Sequence, residues 1–411
     1  MKTVNIITLL LFVSLFLFTP FDGFKKLVIL AGLFMVWMVS AIAMNGKAFT
    51  KTIPLIGLLL VIMGLNLMYS YGGGHSEQFR RFFTQFFWTY VWGVLGVYYA
   101  KNLVIFKKCL TFILIMIAVS CVYTIIGNLA IPGASRMIAG SESEGSQMYY
   151  LIHSMHIGGY DFIYAIMFAI LPCSIWARKR IGYFFISIAY LALLFGTLLV
   201  GSYFTSIILA AVAVLLSVSD TRKLSTYIIV IGILFVFAFL FKDFLLRALM
   251  DFGALIDSPM LQIRAQEMLE GTYQETYDEA GDYSRVDRML NALHNISQSP
   301  IFGKLFTQPV DIRPSGHSEL LGYFEQFGLF GFVFVYFYYS VLKKIRLEFM
   351  YKEMSLRFRI FSILFFLFVT INTFDVANAT GCMALFLAPC MMLYIDRKVQ
   401  TESSSSPFSL E

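Results

Sequence analysis

Charge is what this sequence has least of. Only 14% of its 411 residues are Asp, Glu, Lys or Arg, against 59% hydrophobic, too little polar surface to clothe a fold that faces water. A large soluble catalytic domain is excluded. Cysteine is scarce as well: Cys109, Cys121, Cys173, Cys382 and Cys390 all fall in apolar runs or at their edges, without a CxxC spacing. Neither a disulfide framework nor a thiolate metal site is expected. The sequence contains no GxxxxGK[ST] loop, no GxGxxG that opens a helix after a strand and no GxSxG, so ATP-driven and nucleotide-cofactor chemistry are disfavoured. His153 and His156 make an HxxH spacing without a third ligand, and Glu142 and Glu144 an acidic pair. Both read as loop composition, and no metal or other cofactor is expected.

What the chain has instead is long apolar runs. Twelve are of membrane-spanning length, at approximately 4–19, 27–44, 53–70, 82–100, 109–128, 157–176, 181–199, 202–219, 224–241, 318–341, 358–377 and 379–395, each near the roughly 20 residues a bilayer requires. The expected fold class is therefore an all-α integral membrane protein of about 12 transmembrane helices. The first run follows a single Lys2 and ends at Pro20 without a small-residue cleavage site, so it reads as a retained span. An even count puts both termini on one side. With those termini cytoplasmic, the inner connections carry Lys47, Lys51, Lys101, Lys107, Lys108, Arg178, Lys179, Arg180, Arg222, Lys223, the basic run 343–359, Arg397 and Lys398, as the positive-inside bias demands. The net charge of +6 is spread through these short groups, which argues against nucleic acid.

This parity divides the chain into residues 1–241, with nine spans and an outer loop at 129–156; a large extracytoplasmic loop at 242–316; spans at 317–398; and a Ser-rich tail at 399–411 expected to be disordered. The large loop holds eleven acidic and seven basic residues, a net of −4. Within it, Ser284 to Asp287 has the spacing of a capping box. Val286, Met289, Leu290, Leu293 and Ile296 then recur at helical intervals until Pro300 and Gly303, which predicts an amphipathic helix covering a membrane-facing cavity.

Candidate chemistry lies on the outer side. Arg285 and Arg288 share a face in the first turn of that helix, where free amides also favour an anion such as a diphosphate; pairing with Asp278, Glu279, Asp282 or Asp287 is the alternative. Arg80 and Arg81 follow the glycines 72–74 and break the positive-inside pattern. Their guanidinium forks suit phosphate oxygens, and snorkelling to lipid headgroups is the other reading. His317 opens the tenth span, and on a continuous helix shares a face with Leu321, Gly328 and Gly331. Asp161, Glu325 and Asp375 are carboxylates in the outer halves of spans, where burial calls for a polar cavity or a partner. Glu325 serves equally as a helix-packing acid.

The stretch from His317 and Ser318 through Leu321 to Gly328, Leu329, Phe330 and Gly331 resembles the pattern that opens a late span in the bacterial O-antigen polymerase and O-antigen ligase superfamily. Upstream, Ser284-Arg285, Ala292-Leu293 and Ser299-Pro300-Ile301-Phe302-Gly303 resemble the arginine and proline-x-x-glycine stretch that precedes it there. The motifs cover residues 284–331. Tyr203 stands where many relatives have arginine, and Gln326 where ligase-like members often have glutamate, departures that suit the polymerase branch.

The resemblance implies a metal-independent membrane glycosyltransferase of GT-C-like architecture. It would join undecaprenyl-diphosphate-linked oligosaccharide repeat units at the outer face of the membrane. Arg80, Arg81, Arg285 and Arg288 would hold diphosphate. His317 would orient or deprotonate the acceptor hydroxyl, with Glu319 or Glu325 as second candidates. Implied partners are the lipid-linked oligosaccharides, membrane lipids, and flippase and chain-length regulator proteins. A ligase moving finished glycan to an acceptor is the alternative within the family. A lipid-linked glycan transporter is the alternative outside it, disfavoured by the position of the long loop and the lack of a half-to-half repeat.

Overall fold

A computed structural model describes residues 1–24, 27–46, 76–138, 147–178, 184–201, 204–218, 240–255, 285–303, 319–332, 339–343 and 379–404, with isolated residues at 225, 232, 262–263, 265–266, 269, 335–336 and 357–358. Every regular element among them is helical. In chain order these are α1 (Lys2–Leu17), a 3-10 turn (Thr19–Phe24), α2 (Leu27–Asn45), α3 (Ser76–Lys101), α4 (Leu103–Ala130), α5 (Ala134–Met137), α6 (Gln147–Ser154), α7 (Tyr160–Arg178), α8 (Phe184–Gly201), α9 (Phe204–Val218), α10 (Lys242–Leu255), α11 (Arg285–Gln298) and α12 (Glu319–Phe327). A 3-10 turn (Gly328–Gly331) follows, and the last helix, α13, runs Ala379–Gly381, through a π-helical stretch Cys382–Leu387, and on as Ala388–Ser404.

Among the described residues three helices are long and apolar enough to cross a bilayer: Leu103–Ala130, Tyr160–Arg178 and Ala379–Lys398. Lys2–Leu17, Ile29–Asn45, Phe185–Gly201 and Ser206–Leu215 are shorter apolar helices. The chain is a helical membrane protein. The expected span 53–70, and nearly all of 224–241 and 358–377, lie outside the described residues. Helix α4 carries an exposed apolar stripe of Phe112, Ile115, Val119, Val122, Ile126 and Leu129. Its other face, with Leu110, Ile113, Ile117 and Cys121, is buried. That 3-4 spacing separates a lipid-facing side from a packed one.

Side-chain bonds fix how the helix ends lie together. Near the start of α1, Asn5 Nδ2 donates to Ser40 Oγ at 3.0 Å, Tyr99 Oη donates to Asn5 Oδ1 at 2.8 Å and Trp37 Nε1 donates to Tyr99 Oη at 2.8 Å. The start of α1 and the ends of α2 and α3 therefore share one end of the bundle. Arg178 Nη1 donates to the carbonyl of Ser217 at 2.7 Å, joining the last turns of α7 and α9 and satisfying a helix-terminal carbonyl. At the other end of α1 the Ser120 hydroxyl bonds the carbonyl of Leu17 at 3.1 Å and the amide of Thr19 at 3.0 Å. There too Thr124 Oγ1 accepts from the amide of Gly158 at 2.9 Å. Thr380 Oγ1 donates to the carbonyl of Asp161 at 3.2 Å.

Two expectations need correction. The run 318–341 is not one helix: α12 stops at Phe327, and Gly328 turns the backbone at φ +56° before helix resumes at Phe332. A positive φ is cheap only for glycine, so hydropathy, which records side chains alone, passes over the break. Leu321, Gly328 and Gly331 accordingly do not share one helix face, and His317 lies outside the described residues. At the other end of the chain, residues 399–404, expected within a disordered tail, continue α13.

Candidate functional site

The segments that carry the family resemblance meet in space. The amide of Leu329 donates to the carbonyls of Pro300 at 2.9 Å and Ile301 at 3.1 Å, and the rings of Phe302 and Phe330 stack with centroids 6.1 Å apart. Gly328 is where this clasp is tightest. A Cβ there would fall on the carbonyl of Ile301 and the amide nitrogen of Gly303. Gly303 itself has φ +59° and donates its amide to the carbonyl of Ser299 at 2.8 Å, closing the turn 299–303 that follows α11 with a left-handed glycine.

Five residues before the clasp, Asn295 Nδ2 donates to Glu325 Oε1 at 2.8 Å. The two contacts, 295 with 325 and 300–301 with 329, follow each other in the same order along both segments. Helices α11 and α12 therefore run parallel, pinned together toward their C-terminal ends. Counting back at 1.5 Å per residue, position 288 lies about 10 Å from the Asn295 level and position 319 about 9 Å from the Glu325 level. The starts of both helices, with Arg285 and Arg288 on one and Glu319 on the other, thus lie at the same end of the pair.

Helix α12 is sandwiched. Tyr323 and Phe327, one turn apart, enter the main hydrophobic core. Glu325, about 200° round from Tyr323, is 1% exposed and turns to α11. A carboxylate can only accept, so the Asn295 amide must present its nitrogen, as it does. Buried in this way, Glu325 bonds α12 to α11.

The docking face of α11 reverses the expectation for this helix. Leu290 and Leu293, on the apolar face expected to cover a cavity, are 57% and 51% exposed, whereas Ala292 is fully buried and Asn295 makes the bond. The helix contact is made instead by the small Ala292 and, one turn on, by Asn295. Position 288 lies two turns before Asn295 and only about 20° round from it. The amphipathic pattern located the helix but not the side it docks.

Arg80 and Arg81 fall in the second turn of α3, whose start at Ser76 precedes the expected span. Their helix is a different one from that of Arg285 and Arg288. Asp161 lies in the first turn of α7. His317 and Asp375, like Glu142, Glu144 and Tyr203, lie outside the described residues. His156 has φ +56°, and its ring meets that of Tyr123 edge-on at 5.9 Å. Among the described residues no three His, Cys, Asp or Glu side chains gather as metal ligands. Composition missed one buried polar group here, Ser135: it bonds Asn128 Nδ2 at 2.7 Å and the carbonyl of Gly158 at 2.7 Å and so ties the first turn of the 129–156 loop to the bundle.

No known protein family, curated protein or solved structure matches the chain.

Proposed function

We propose that this chain is a surface-polysaccharide polymerase of the O-antigen type. It would transfer a growing glycan from its undecaprenyl diphosphate to a new lipid-linked repeat unit at the outer face of the cytoplasmic membrane. The observation that carries the reading is the parallel pairing of α11 and α12, fixed by the Asn295–Glu325 bond and the Pro300–Leu329 clasp. The motif segments that sequence separates are neighbours in the fold, and the two arginines of α11 start at the same level as Glu319.

Chemically, the acceptor hydroxyl oxygen bonds to the anomeric carbon of the donor while the bond from that carbon to the diphosphate oxygen breaks. The hydroxyl proton passes to a base, and the lipid diphosphate departs with the electron pair. Arg285, Arg288, Arg80 and Arg81 are assigned to the charge that accumulates on the leaving diphosphate. His317, with Glu319 as second choice, is assigned to the acceptor proton.

The twelve-span, termini-inside topology belongs to the same proposal. The bundle end that holds the start of α1 also holds Lys2, Lys101, Lys107, Lys108, Arg178, Arg397 and Lys398, the charge bias of a cytoplasmic face. Parity then puts the loop 242–316 outside, where the lipid-linked substrate is presented.

Deleting the gene in its native host and sizing lipid-linked and surface glycans tests the reading, with wild type and His317→Ala as complements. Glycans limited to single repeats, restored to long chains by wild type alone, are expected. Long chains stranded on the carrier would mean a ligase, and single repeats trapped on the inner leaflet a transporter; either result overturns the proposal.

A further inference from the structure

We infer that Asn295 is a positioning residue: its carboxamide, bonded to the buried Glu325, docks α11 on α12 by a polar seam and so sets positions 285 and 288 at the head of α12. Glu325 then serves as the acceptor of that seam and carries no proton in the reaction.

Four observations converge. Asn295 Nδ2 reaches Glu325 Oε1 at 2.8 Å. Glu325 is 1% exposed, which leaves it no surface for a substrate hydroxyl. The adjoining Ala292 is fully buried while Leu290 and Leu293 face outward, so the polar side of α11 is its docking side. Beyond the seam, the clasp at Leu329 fixes the far end of the helix. One polar bond and one clasp hold the helix at two points along its length, and two points set both its direction and its register. Loss of the seam leaves α11 tethered at the clasp alone, free to swing at the end that carries Arg285 and Arg288.

The catalytic half of this inference rests on the polymerase reading; the docking half does not, and the two are tested separately. Docking is read by the rate at which a membrane-impermeant maleimide labels Ala292→Cys in the full-length protein. The seam should keep this thiol slow to react, and Asn295→Leu or Glu325→Ala should speed it by about tenfold or more, the scale expected when a buried partner is lost. Glu325→Gln, whose amide oxygen still accepts from Asn295, should leave the rate unchanged. The paired replacement Asn295→Leu with Glu325→Leu removes both polar groups and should restore slow labelling. Equal labelling in Asn295→Leu and in the parent overturns the docking.

Function is read as chain length in the deletion host. Asn295→Leu and Glu325→Ala should shorten chains, whereas Glu325→Gln and the double leucine variant should recover them. Loss of extension in Glu325→Gln and in the double variant, with labelling still slow in both, would make Glu325 a proton carrier and overturn the assignment. If deletion of the gene leaves glycan length unaltered, the polymerase reading fails and the catalytic half fails with it. The labelling result still decides the docking.

Discussion

The amide of Leu329 is bonded to the carbonyl of Pro300, 2.9 Å away, so the stretch that follows α11 and the turn that follows α12 are one structural unit. Gly328 makes the approach feasible. Gly328→Ala must place a methyl against the carbonyl of Ile301 and hold an alanine at φ +56°, strain that costs on the order of 1–3 kcal/mol. Thermal unfolding in detergent should fall accordingly, and chain extension with it, whereas Gly322→Ala, where a Cβ meets nothing within 4 Å, should unfold like wild type. Equal melting of the two variants would show that the clasp does not constrain the fold.

The buried network at the start of α1 has every polar atom committed: Tyr99 donates to Asn5 and accepts from Trp37. Tyr99→Phe removes both bonds and strands Asn5 Oδ1 and Trp37 Nε1 in an apolar interior. The expected loss is about 1–3 kcal/mol, measurable as a lower melting temperature. Replacing Tyr123, which is 42% exposed, by Phe should shift it little.

Helix α4 offers a paired comparison. Ile113 is 1% exposed and Ile115 is 56% exposed. Ile113→Ala opens a cavity and should destabilise by about 2–4 kcal/mol. Ile115→Ala, on the lipid-facing stripe, should stay within roughly 0.5 kcal/mol of wild type. Similar losses from both would contradict the assignment of the two faces.

Sidedness is testable without any activity. In intact cells a membrane-impermeant maleimide should label Tyr150→Cys, in the outer loop at 129–156, and spare Lys107→Cys, at the basic end of the bundle. The reverse pattern would invert the topology and place the long loop in the cytoplasm.

Much of the helical layout was legible in the sequence because a bilayer demands long apolar runs. Helices 103–130 and 160–178 appear where hydropathy puts them, the first extended at both ends and the second shifted by two or three residues. Two features were not legible, each for a physical reason. The break at Gly328 is a backbone event inside an unbroken apolar run. The docking face of α11 was read from its apolar side, which turns Leu290 and Leu293 inward, whereas the contact is made by the small Ala292 and the Asn295–Glu325 bond, which an apolar repeat does not register. Asn295 carries no signal of its own in the sequence, because its partner Glu325 lies 30 residues away. The pairing of Pro300 with Leu329, by contrast, joins two stretches the sequence had already singled out.

The central claim, polymerisation, is tested most directly by reconstituting the purified full-length protein in lipid nanodiscs with lipid-linked single repeats extracted from the deletion strain. The product is then sized by gel and mass spectrometry. A ladder of lipid-linked chains that grows with time, lost in Arg288→Ala and kept in Glu325→Gln, is the predicted result. Single repeats that remain unextended, in a preparation that melts cooperatively and still protects Ala292→Cys from maleimide, would contradict it.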